Sequence, residues 1–429
     1  MLENRQNKGE KWYRQAMSKT ELKSLTNRRN FLRFFASGGA GIGLLAGTYG
    51  LNRIVSPAWE QYTTWQETNC DAATFLKKYQ RKLSYLRFGA TLCPDYKLTQ
   101  IEADPDRTVR LLKEYFGCTH IRLGMWWSTH VERGLSAYDR WIEALLKYEI
   151  KIILAYGAKA PFPPETHFPR QIKQNFSALG IEPNGTIYAN SPVGQMTLDY
   201  SHALLAHLES RFGLDRFYGF NPENEFDAHF GGAYKLAIGE DLLRAQAKLL
   251  YHPSQRRRLL LNTAIISLPG YPASLTTVIK NALALRQEFP TLDPIIGTDI
   301  YEETDAGRLG PNTYIDTFSG VRMRHGNGLI PEAKQTLAAA GIPLEVTEFQ
   351  LSDWIKEPRQ QGPGSRLHTQ YLLARVMDYL VDDPPAQAPE PFIVRLWEMS
   401  AILLSMLQDE HFFYTNDDYA LIQQINRGV

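Results

Sequence analysis

The chain contains very little cysteine, since Cys70, Cys93 and Cys118 are the only three in 429 residues. They form no C-x-x-C pair, and their spacing is not that of a disulfide framework or a zinc ribbon. Disulfide-rich secreted domains and structural zinc modules are therefore excluded as classes. We expect the three thiols to be buried inside a folded domain.

A surplus of one charge is also missing, because 47 Lys and Arg residues are balanced by 46 Asp and Glu residues and the formal net charge is +1. Proteins that bind nucleic acid or acidic polymers usually carry a strongly basic surface. The sequence shows no tandem repeat and no low-complexity tract either. Together these absences favour an ordinary globular protein with no nucleic-acid partner.

The N-terminal segment is basic and is followed by an uncharged, glycine-rich apolar run over residues 34–51. The stretch NRRNFLRF around Arg28 and Arg29 resembles a twin-arginine (Tat) export signal. The run is about long enough to cross a bilayer, for which roughly 18 to 20 residues are needed. The resemblance implies the Tat export machinery and a periplasmic or cell-surface location, with residues 31–51 as a membrane anchor if the signal is retained. The alternative is a basic amphipathic helix that leads into a buried segment.

Residues 1–54 are therefore assigned to a signal or anchor and residues 55–84 to a helical lead-in, and a regular alternation begins at residue 85. Short apolar runs alternate with stretches of helical periodicity, which indicates parallel strands joined by crossover helices. The predicted strands cover residues 86–92, 119–125, 150–156, 216–221, 258–265, 294–300, 343–349 and 391–397.

Eight such units within residues 85–429 predict a (β/α)8 TIM barrel. A doubly wound open sheet is the alternative, and it would place a glycine-rich phosphate loop directly after the first strand. The segment ATLCPDYK at residues 90–97 is not such a loop. The barrel is therefore the preferred fold.

The working groups of such barrels lie at the carboxyl ends of the strands. The fourth predicted strand runs into NPENEFDAHF, in which Glu223, Glu225 and Asp227 alternate, and the seventh ends at Glu348. Acids packed this tightly are costly to bury. Two carboxylates from different strands, surrounded by aromatic rings, are what glycoside hydrolysis requires. Rings that offer flat faces to a sugar are Trp126, Trp127, Trp354 and Trp397, and packing is an equally good interpretation of each.

Asn224 and Glu225 at strand four, together with Glu348 in VTEF at strand seven, resemble the clan A glycoside hydrolases, which include cellulases, β-mannanases and β-galactosidases. YGAKAPFPPETHFP and TEFQLSDW are also similar to uncharacterised bacterial members of that clan. The resemblance implies a retaining enzyme for β-glycosidic bonds of an oligo- or polysaccharide. Asn224 would contact the sugar 2-hydroxyl, Glu225 would be the acid/base and Glu348 the nucleophile.

The same resemblance implies roles for three further residues. No cofactor and no metal are expected. Arg122 at strand two would keep the nucleophile ionised, Tyr301 at strand six would hydrogen-bond it, and Trp397 would form the floor of the sugar site. His167, in the proline-rich loop after strand three, is aimed at substrate or belongs to a merely rigid loop. Lys159 either contacts sugar hydroxyls or lies on the surface.

Several alternatives stay open at this point. If EFDAH is helical, Glu225 and His229 share one face and would suit a divalent metal. Glu345 lies three residues before Glu348, hence on the opposite side of an ideal strand, and is expected to be structural. A monomeric barrel without catalytic activity, which binds glycan or serves a cell-envelope assembly, is the rival to the enzyme.

Overall fold

The computed structural model describes residues 70–98, 103–162, 166–229, 234–264, 275–300, 302–303, 315–316, 329–349, 390–397 and 417–428, with 370, 373, 374, 376, 377, 381, 399, 403 and 407. The predicted export signal lies outside these residues, and so do Tyr301 and Trp354. Cys93 and Cys118 are buried thiols as expected, whereas Cys70 is half-buried.

The described part of the chain forms a closed barrel of eight parallel strands, which confirms the predicted (β/α)8 fold. Each strand pairs with the next along the chain, and the last pairs with the first. The strands are β1 Leu86–Leu92, β2 His120–Gly124, β3 Lys151–Tyr156, β4 Gly219–Pro222, β5 Arg257–Ala264, β6 Leu292–Ile300, β7 Leu344–Phe349 and β8 Phe392–Leu396.

Helices follow the strands. Those used below are α1 Ala72–Leu83, α2 Pro105–Phe116, α3 Trp127–Arg133, α4 Asp139–Lys147, α5 Pro192–Phe212, α6 Glu240–Leu250, α7 Leu275–Glu288, α8 Leu329–Ala340 and α9 Asp417–Arg427. Two-residue strands pair Thr186–Ile187 with Ala237–Ile238, and Glu302–Glu303 with Ile315–Asp316. Within the described residues, no helix combines the length and the apolar character needed to cross a membrane.

Local sequence explains the ends of these helices, as α2 illustrates. Asp104 caps its N-terminus by accepting a hydrogen bond from the backbone N–H of Arg107, and Pro105 occupies the first turn, where no N–H is needed. Gly117 ends the helix with φ +62°, a left-handed conformation that favours glycine. The buried face of α2 thus starts and stops where the sequence dictates.

The barrel interior has an apolar layer below a polar one. Ile153, Leu260 and Ile295 form the apolar layer. Gly297 lies above it on β6, where an added Cβ would come within 2.6 Å of Thr347 and 2.8 Å of Asn262. A side chain there would displace the polar groups at the carboxyl ends of β5 and β7, so the sequence needs glycine at this position.

Strand β7 carries one more residue than its neighbours between Val346 and Glu348. Val346 pairs with Thr298 of β6, and Glu348 pairs with the very next residue of β6, Asp299. Such a bulge breaks the alternation of side chains. Glu345 contacts Arg395 of β8 and Tyr218 beside β4, which lie on opposite sides of the barrel, so it points inward like Glu348. The expectation that the two acids lie on opposite sides was wrong, and the ion pair of Glu345 with Arg395 is consistent with the structural role expected for it.

Candidate active site

Arg122 of β2 lies at the centre of the polar layer and is fully buried. Its Nη1 donates to Glu348 Oε1 at 2.7 Å, and its Nε donates to Asn221 Oδ1 at 2.9 Å. Its Nη2 donates to Asn224 Oδ1 through a short hydrogen bond. The planar guanidinium suits several directed bonds at once. One side chain of β2 therefore connects the ends of β4 and β7, and Arg122 contacts Glu348 as the resemblance implied.

Asn262 of β5 is a second centre of hydrogen bonding, and it was not among the predicted site residues. Its Oδ1 accepts from the backbone N–H of Glu225 at 3.3 Å. Its Nδ2 donates to Asn224 Oδ1 at 2.9 Å and to Asp299 Oδ2 at 3.1 Å. Since Asn224 Oδ1 also accepts from Arg122, the orientation of the Asn224 amide is fixed, with Nδ2 as its donor.

The segment after β4 is a turn and not a helix. Residues 224–227 are in turn conformation, and Glu223 and Glu225 have φ values of +75° and +43°. Non-glycine residues rarely adopt this left-handed region, and then usually where the surroundings enforce it. The helical interpretation that paired Glu225 with His229 is therefore wrong. Within the described residues, no group of three acids, histidines or cysteines is arranged to hold a metal ion.

The Glu223 carboxylate connects this turn to the residues that follow β3. The carboxylate is buried and accepts hydrogen bonds from the backbone N–H groups of Ala158 at 3.0 Å and Lys159 at 2.7 Å, and from Gln246 Nε2 at 2.8 Å. Burial raises the pKa of Glu223 to about 7, although these donors act in the opposite direction. Gly157 makes room for the carboxylate, because a Cβ there would lie 2.3 Å from Glu223 Oε1.

Lys159 holds the same turn from the other side. It is fully buried, and its Nζ donates to the carbonyl oxygens of Glu225 and Ala228, both at 2.8 Å. Its own carbonyl accepts from the backbone N–H of Asn224 at 2.9 Å. We call this reciprocal set of bonds between residues 157–159 and 223–228 the β3–β4 clamp. Lys159 is therefore not on the surface, and its ammonium group binds the turn and not a sugar. Both interpretations of its sequence position were wrong.

Asp299 of β6 joins the site, although the sequence-based prediction did not include it. It is fully buried and accepts from Asn262 Nδ2 and, through a short hydrogen bond, from Thr347 Oγ1. The Glu225 carboxyl is hydrogen-bonded to it as well. Burial raises the pKa of Asp299, while these hydrogen bonds and the charge of Arg122 lower it. Its inward orientation could have been predicted from the sequence, because side chains alternate along β6 and Asp299 lies on the same side as Ile295.

An aromatic cluster flanks the polar centre. Trp397, at the end of β8, stacks on Phe162 with ring centroids 4.2 Å apart and planes 11° apart. Tyr96 stacks on the same Phe162 at 4.7 Å. Cys93 completes this group, and Trp126 packs against it half-buried. The structure thus brings together Trp126 and Trp397, whereas Phe162 was not foreseen because it lies in a loop.

His167 and Trp127 have packing contacts. His167 stacks under Trp126 at 4.1 Å, and its Nε2 lies 2.9 Å from the carbonyl oxygen of Phe162. Desolvation lowers the pKa of His167 to about 3, so the ring is neutral. Trp127 stacks on Tyr200 of α5 at 4.9 Å, within the layer of helices. His167 therefore supports Trp126, and the placement of Trp127 favours packing.

The sequence matches no known protein family and no curated protein. Solved structures with a similar fold include a monomeric β-xylosidase from Caulobacter crescentus CB15, at 16% identity over 76% of this chain and 68% of that chain, with a TM-score of 0.43. A family 30 subfamily 8 glycoside hydrolase, a xylanase from Clostridium acetobutylicum, is 13% identical over 80% and 71% of the two chains, with a TM-score of 0.43. An endo-1,4-β-xylanase from Caldicellulosiruptor owensensis is 13% identical over 75% and 87%, with a TM-score of 0.41. At these values the likeness is one of fold.

Proposed function

We propose that the chain is a retaining glycoside hydrolase that cleaves β-glycosidic bonds, with Glu225 as acid/base and Glu348 as nucleophile. One observation carries the proposal. The buried guanidinium of Arg122 binds the Glu348 carboxylate and also the amide of Asn224, the residue next to Glu225. One cation thereby connects the Glu348 carboxylate to the turn that carries Glu225, at the carboxyl ends of the strands, where barrel enzymes carry out their chemistry.

The first step assigns different protonation states to the two acids. Arg122 lies 2.7 Å from Glu348 Oε1, and its positive charge favours the ionised form of that carboxyl. Ionised Glu348 attacks the anomeric carbon and forms a glycosyl ester. Glu225 donates its proton to the glycosidic oxygen as the bond to the leaving group breaks. The leaving group departs as a neutral alcohol.

The second step reverses these roles. Glu225, now ionised, removes a proton from water, and the oxygen of that water attacks the anomeric carbon of the ester. The bond to Glu348 breaks, and Glu348 returns as a carboxylate still paired with Arg122. Two inversions leave the anomeric configuration unchanged. Every bond that Arg122 and Asn262 make to the turn at residues 224–225 serves to keep Glu225 in place for both steps.

The substrate in this proposal is an oligo- or polysaccharide. Trp397 and Phe162 stack in the buried aromatic cluster at the strand ends, and Trp126, which packs against it, is the ring that stays partly accessible. The fixed amide of Asn224 directs its Nδ2 donor to a sugar hydroxyl, which the clan A resemblance identifies as the 2-hydroxyl. The predicted contributions of Tyr301 and Trp354 belong to the same proposal.

The twin-arginine resemblance adds a location to the proposal. We expect the chain to be exported by the Tat machinery and to act as a monomer on glycan outside the cytoplasm, tethered if residues 31–51 are retained. Replacement of Arg28 and Arg29 by Lys should keep the protein in the cytoplasm, as measured by cell fractionation and immunoblotting. Unchanged export of that variant would contradict the assignment.

The direct test is a screen of aryl β-glycosides and β-linked polysaccharides with the full chain. We expect turnover by the native protein, and trapping of Glu348 as an ester by a 2-fluoro glycoside, read by mass spectrometry of the labelled peptide. Glu348→Gln should abolish both, whereas Glu288→Gln on the outer face of α7 is the matched control. Binding of glycan without turnover would support the catalytically silent barrel instead.

A further inference from the structure

The Glu225 carboxyl lies in hydrogen-bond contact with a second carboxyl, that of Asp299. Both side chains are buried, with Asp299 fully so and Glu225 only 4% exposed. Two carboxylates in direct contact cannot both be ionised at neutral pH without strong repulsion, so the pair shares one proton. The question is which of the two acids holds it.

The orientation of Asn262 helps to answer this question. Its Oδ1 accepts from Arg122 Nη2, from Asn221 Nδ2 and from the backbone N–H of Glu225, each at 3.3 Å. Three donors on one oxygen leave no doubt about which end of the amide is which. The other end, Nδ2, must therefore donate to Asp299, which is the acceptor at 3.1 Å.

The hydrogen bond of Thr347 supports the same conclusion as the orientation of Asn262. The Thr347 hydroxyl is hydrogen-bonded to Asp299 Oδ1, while Asn262 is bonded to Oδ2, so both oxygens of Asp299 have a partner from a neighbouring strand. An ionised carboxylate accepts hydrogen bonds only, and such donors favour the ionised form. Asp299 is thus built as the acceptor of the pair, and Glu225 is the member that donates the shared proton.

The other charged groups around this pair are bonded to further partners. Arg122 of β2 is bonded to Glu348 of β7, and its charge lowers the pKa of Asp299, which favours the ionised form of that acid. Lys159, after β3, directs its Nζ to the carbonyl oxygens of residues 225 and 228. Glu223, on the β4 end, is bound by the backbone of residues 158 and 159. Asp299 is an acid in direct contact with Glu225.

We propose that Asp299 is a positioning residue that holds the proton on Glu225 and so keeps the acid/base protonated to higher pH. The inference rests on the proposed role of Glu225. It also gives the second step a physical basis. Once Glu225 has lost its proton to the leaving group, it faces the negative charge of Asp299, and this repulsion makes it a stronger base toward water.

The test is Asp299→Asn, with Asp293→Asn at the other end of the same strand as the matched control. Asp293 is partly exposed, and its ion pairs with the described residues Arg256 and Arg258 are long, at 3.7 and 3.9 Å. Thr347 can accept as well as donate, which allows Asn at position 299 without a buried clash of donors. In this variant, the basic limb of the pH profile of kcat/KM should move to lower pH by about one unit or more.

Substrates with different leaving groups separate this role from a merely structural one. Poor leaving groups need the proton of Glu225, so their kcat/KM at neutral pH should fall by about 10-fold or more in Asp299→Asn. Good leaving groups, such as dinitrophenolate, should be hardly affected. Equal losses for both substrate classes, with an unmoved basic limb, would overturn the proposal.

A measurement without turnover keeps the proposal separate from the proposed function. In the native protein labelled with carbon-13 at its glutamate carboxyls, the Glu225 signal is identified by its loss in Glu225→Gln. We expect this signal to titrate above the ordinary range of glutamate, which is about 4.3, and to move down in Asp299→Asn but not in Asp293→Asn. Titration of Glu225 in the ordinary range of the native protein would overturn the proposal. If the titration is as expected but no glycoside is cleaved, the proton assignment stands and the hydrolase function fails.

Discussion

Two buried arginine–glutamate pairs lie inside the barrel, and they resemble each other closely. The carboxyl-end pair joins Arg122 to Glu348 at 2.7 Å, and the amino-end pair joins Arg395 to Glu345 at 2.6 Å. Both arginines are fully buried, and the two glutamates are 2% and 5% exposed. Burial and charge alone would therefore mark either pair as a catalytic candidate.

The surroundings of the two arginines differ. Each nitrogen of the Arg122 guanidinium donates to a side chain, and these partners include amides that also bind the turn at Glu225. At Arg395, Nη1 donates to Glu345, whereas Nε and Nη2 have no hydrogen-bond partner among the described residues. A buried ion pair becomes a candidate site through the polar groups that connect it to a second acid. Buried amides make this connection at the carboxyl-end pair, whereas among the described residues the amino-end pair has the longer contacts of the Tyr218 hydroxyl, 3.5 Å from Glu345 and 3.4 Å from the partly exposed Glu390.

Removing one carboxylate from each pair should reveal the largest difference between the two pairs. Glu348→Gln should reduce turnover of the aryl β-glycoside by about 10⁴-fold or more, because it removes the nucleophile. Glu345→Gln should retain most activity but lower the free energy of unfolding by about 3 to 5 kcal/mol, because it leaves the buried charge of Arg395 uncompensated. Kinetics and urea denaturation of both variants measure these effects. Comparable loss of activity in both variants would remove the distinction.

The second test removes the cations. In Arg122→Met, kcat/KM should fall by about 10²- to 10³-fold, and the acidic limb of its pH profile should move to higher pH. The reason is that Glu348 keeps its proton longer when the cation is gone. Arg395→Met should leave the shape of that profile unchanged. An acidic limb that stays in place in Arg122→Met would show that this arginine does not control the ionisation of Glu348.

A third and smaller effect concerns two lysines near the opposite ends of the barrel. Lys159→Met removes the ammonium group of the β3–β4 clamp, and the turn that carries Glu225 loses two of its bonds. We expect kcat to fall by about 10- to 100-fold with little change in KM, since a misplaced acid affects the chemical step. Lys151→Met is the control, because its exposed ammonium lies 5.2 Å from the Tyr218 ring and touches no part of the site. A Lys159→Met enzyme with native kcat would show that the clamp is not needed.

The smallest effect is the dependence of stability on pH, which has opposite signs at the two ends. Burial raises the pKa of Glu223 to about 7, so the folded state binds more protons than the unfolded state, and stability falls as the pH rises from about 4.5 to 7. Desolvation lowers the pKa of His120, at the start of β2, to about 2, so stability falls as the pH drops below about 6.5.

Urea denaturation across this pH range separates the two contributions. Glu223→Gln should flatten the slope between pH 4.5 and 7, and His120→Gln should flatten the fall below pH 6.5. Each slope amounts to at most about 1.4 kcal/mol per pH unit. Slopes that survive the matching substitution would show that other groups bind the protons.

The sequence was sufficient to predict the barrel, and the clan A resemblance implied the pairing of Arg122 with Glu348. Strand periodicity is a local property, and all eight strands lie within three residues of their predicted starts. Carboxyl ends of parallel strands meet at one end of the barrel, so the acids were expected together. The roles of Tyr301 and Trp354, and the export signal, remain predictions.

Long-range contacts account for the features of the site that could not be predicted from the sequence. The left-handed conformations of Glu223 and Glu225 depend on Lys159 and Gly157, more than sixty residues earlier in the chain. The residues EFDAH are compatible with a helix and with a tight turn, so the local sequence does not distinguish the two conformations. Asp299, in contrast, could have been included from alternation along β6.

The bulge in β7 has a consequence for anyone who edits this gene. Deletion of Thr347, the extra residue, would place Glu348 directly after Val346, in regular pairing with β6 and β8. The Glu348 side chain would still alternate with Glu345 and face the interior, but Asp299 would lose its hydrogen bond from Thr347. At this strand the extra residue therefore serves the neighbouring acid Asp299 and not the direction of the nucleophile.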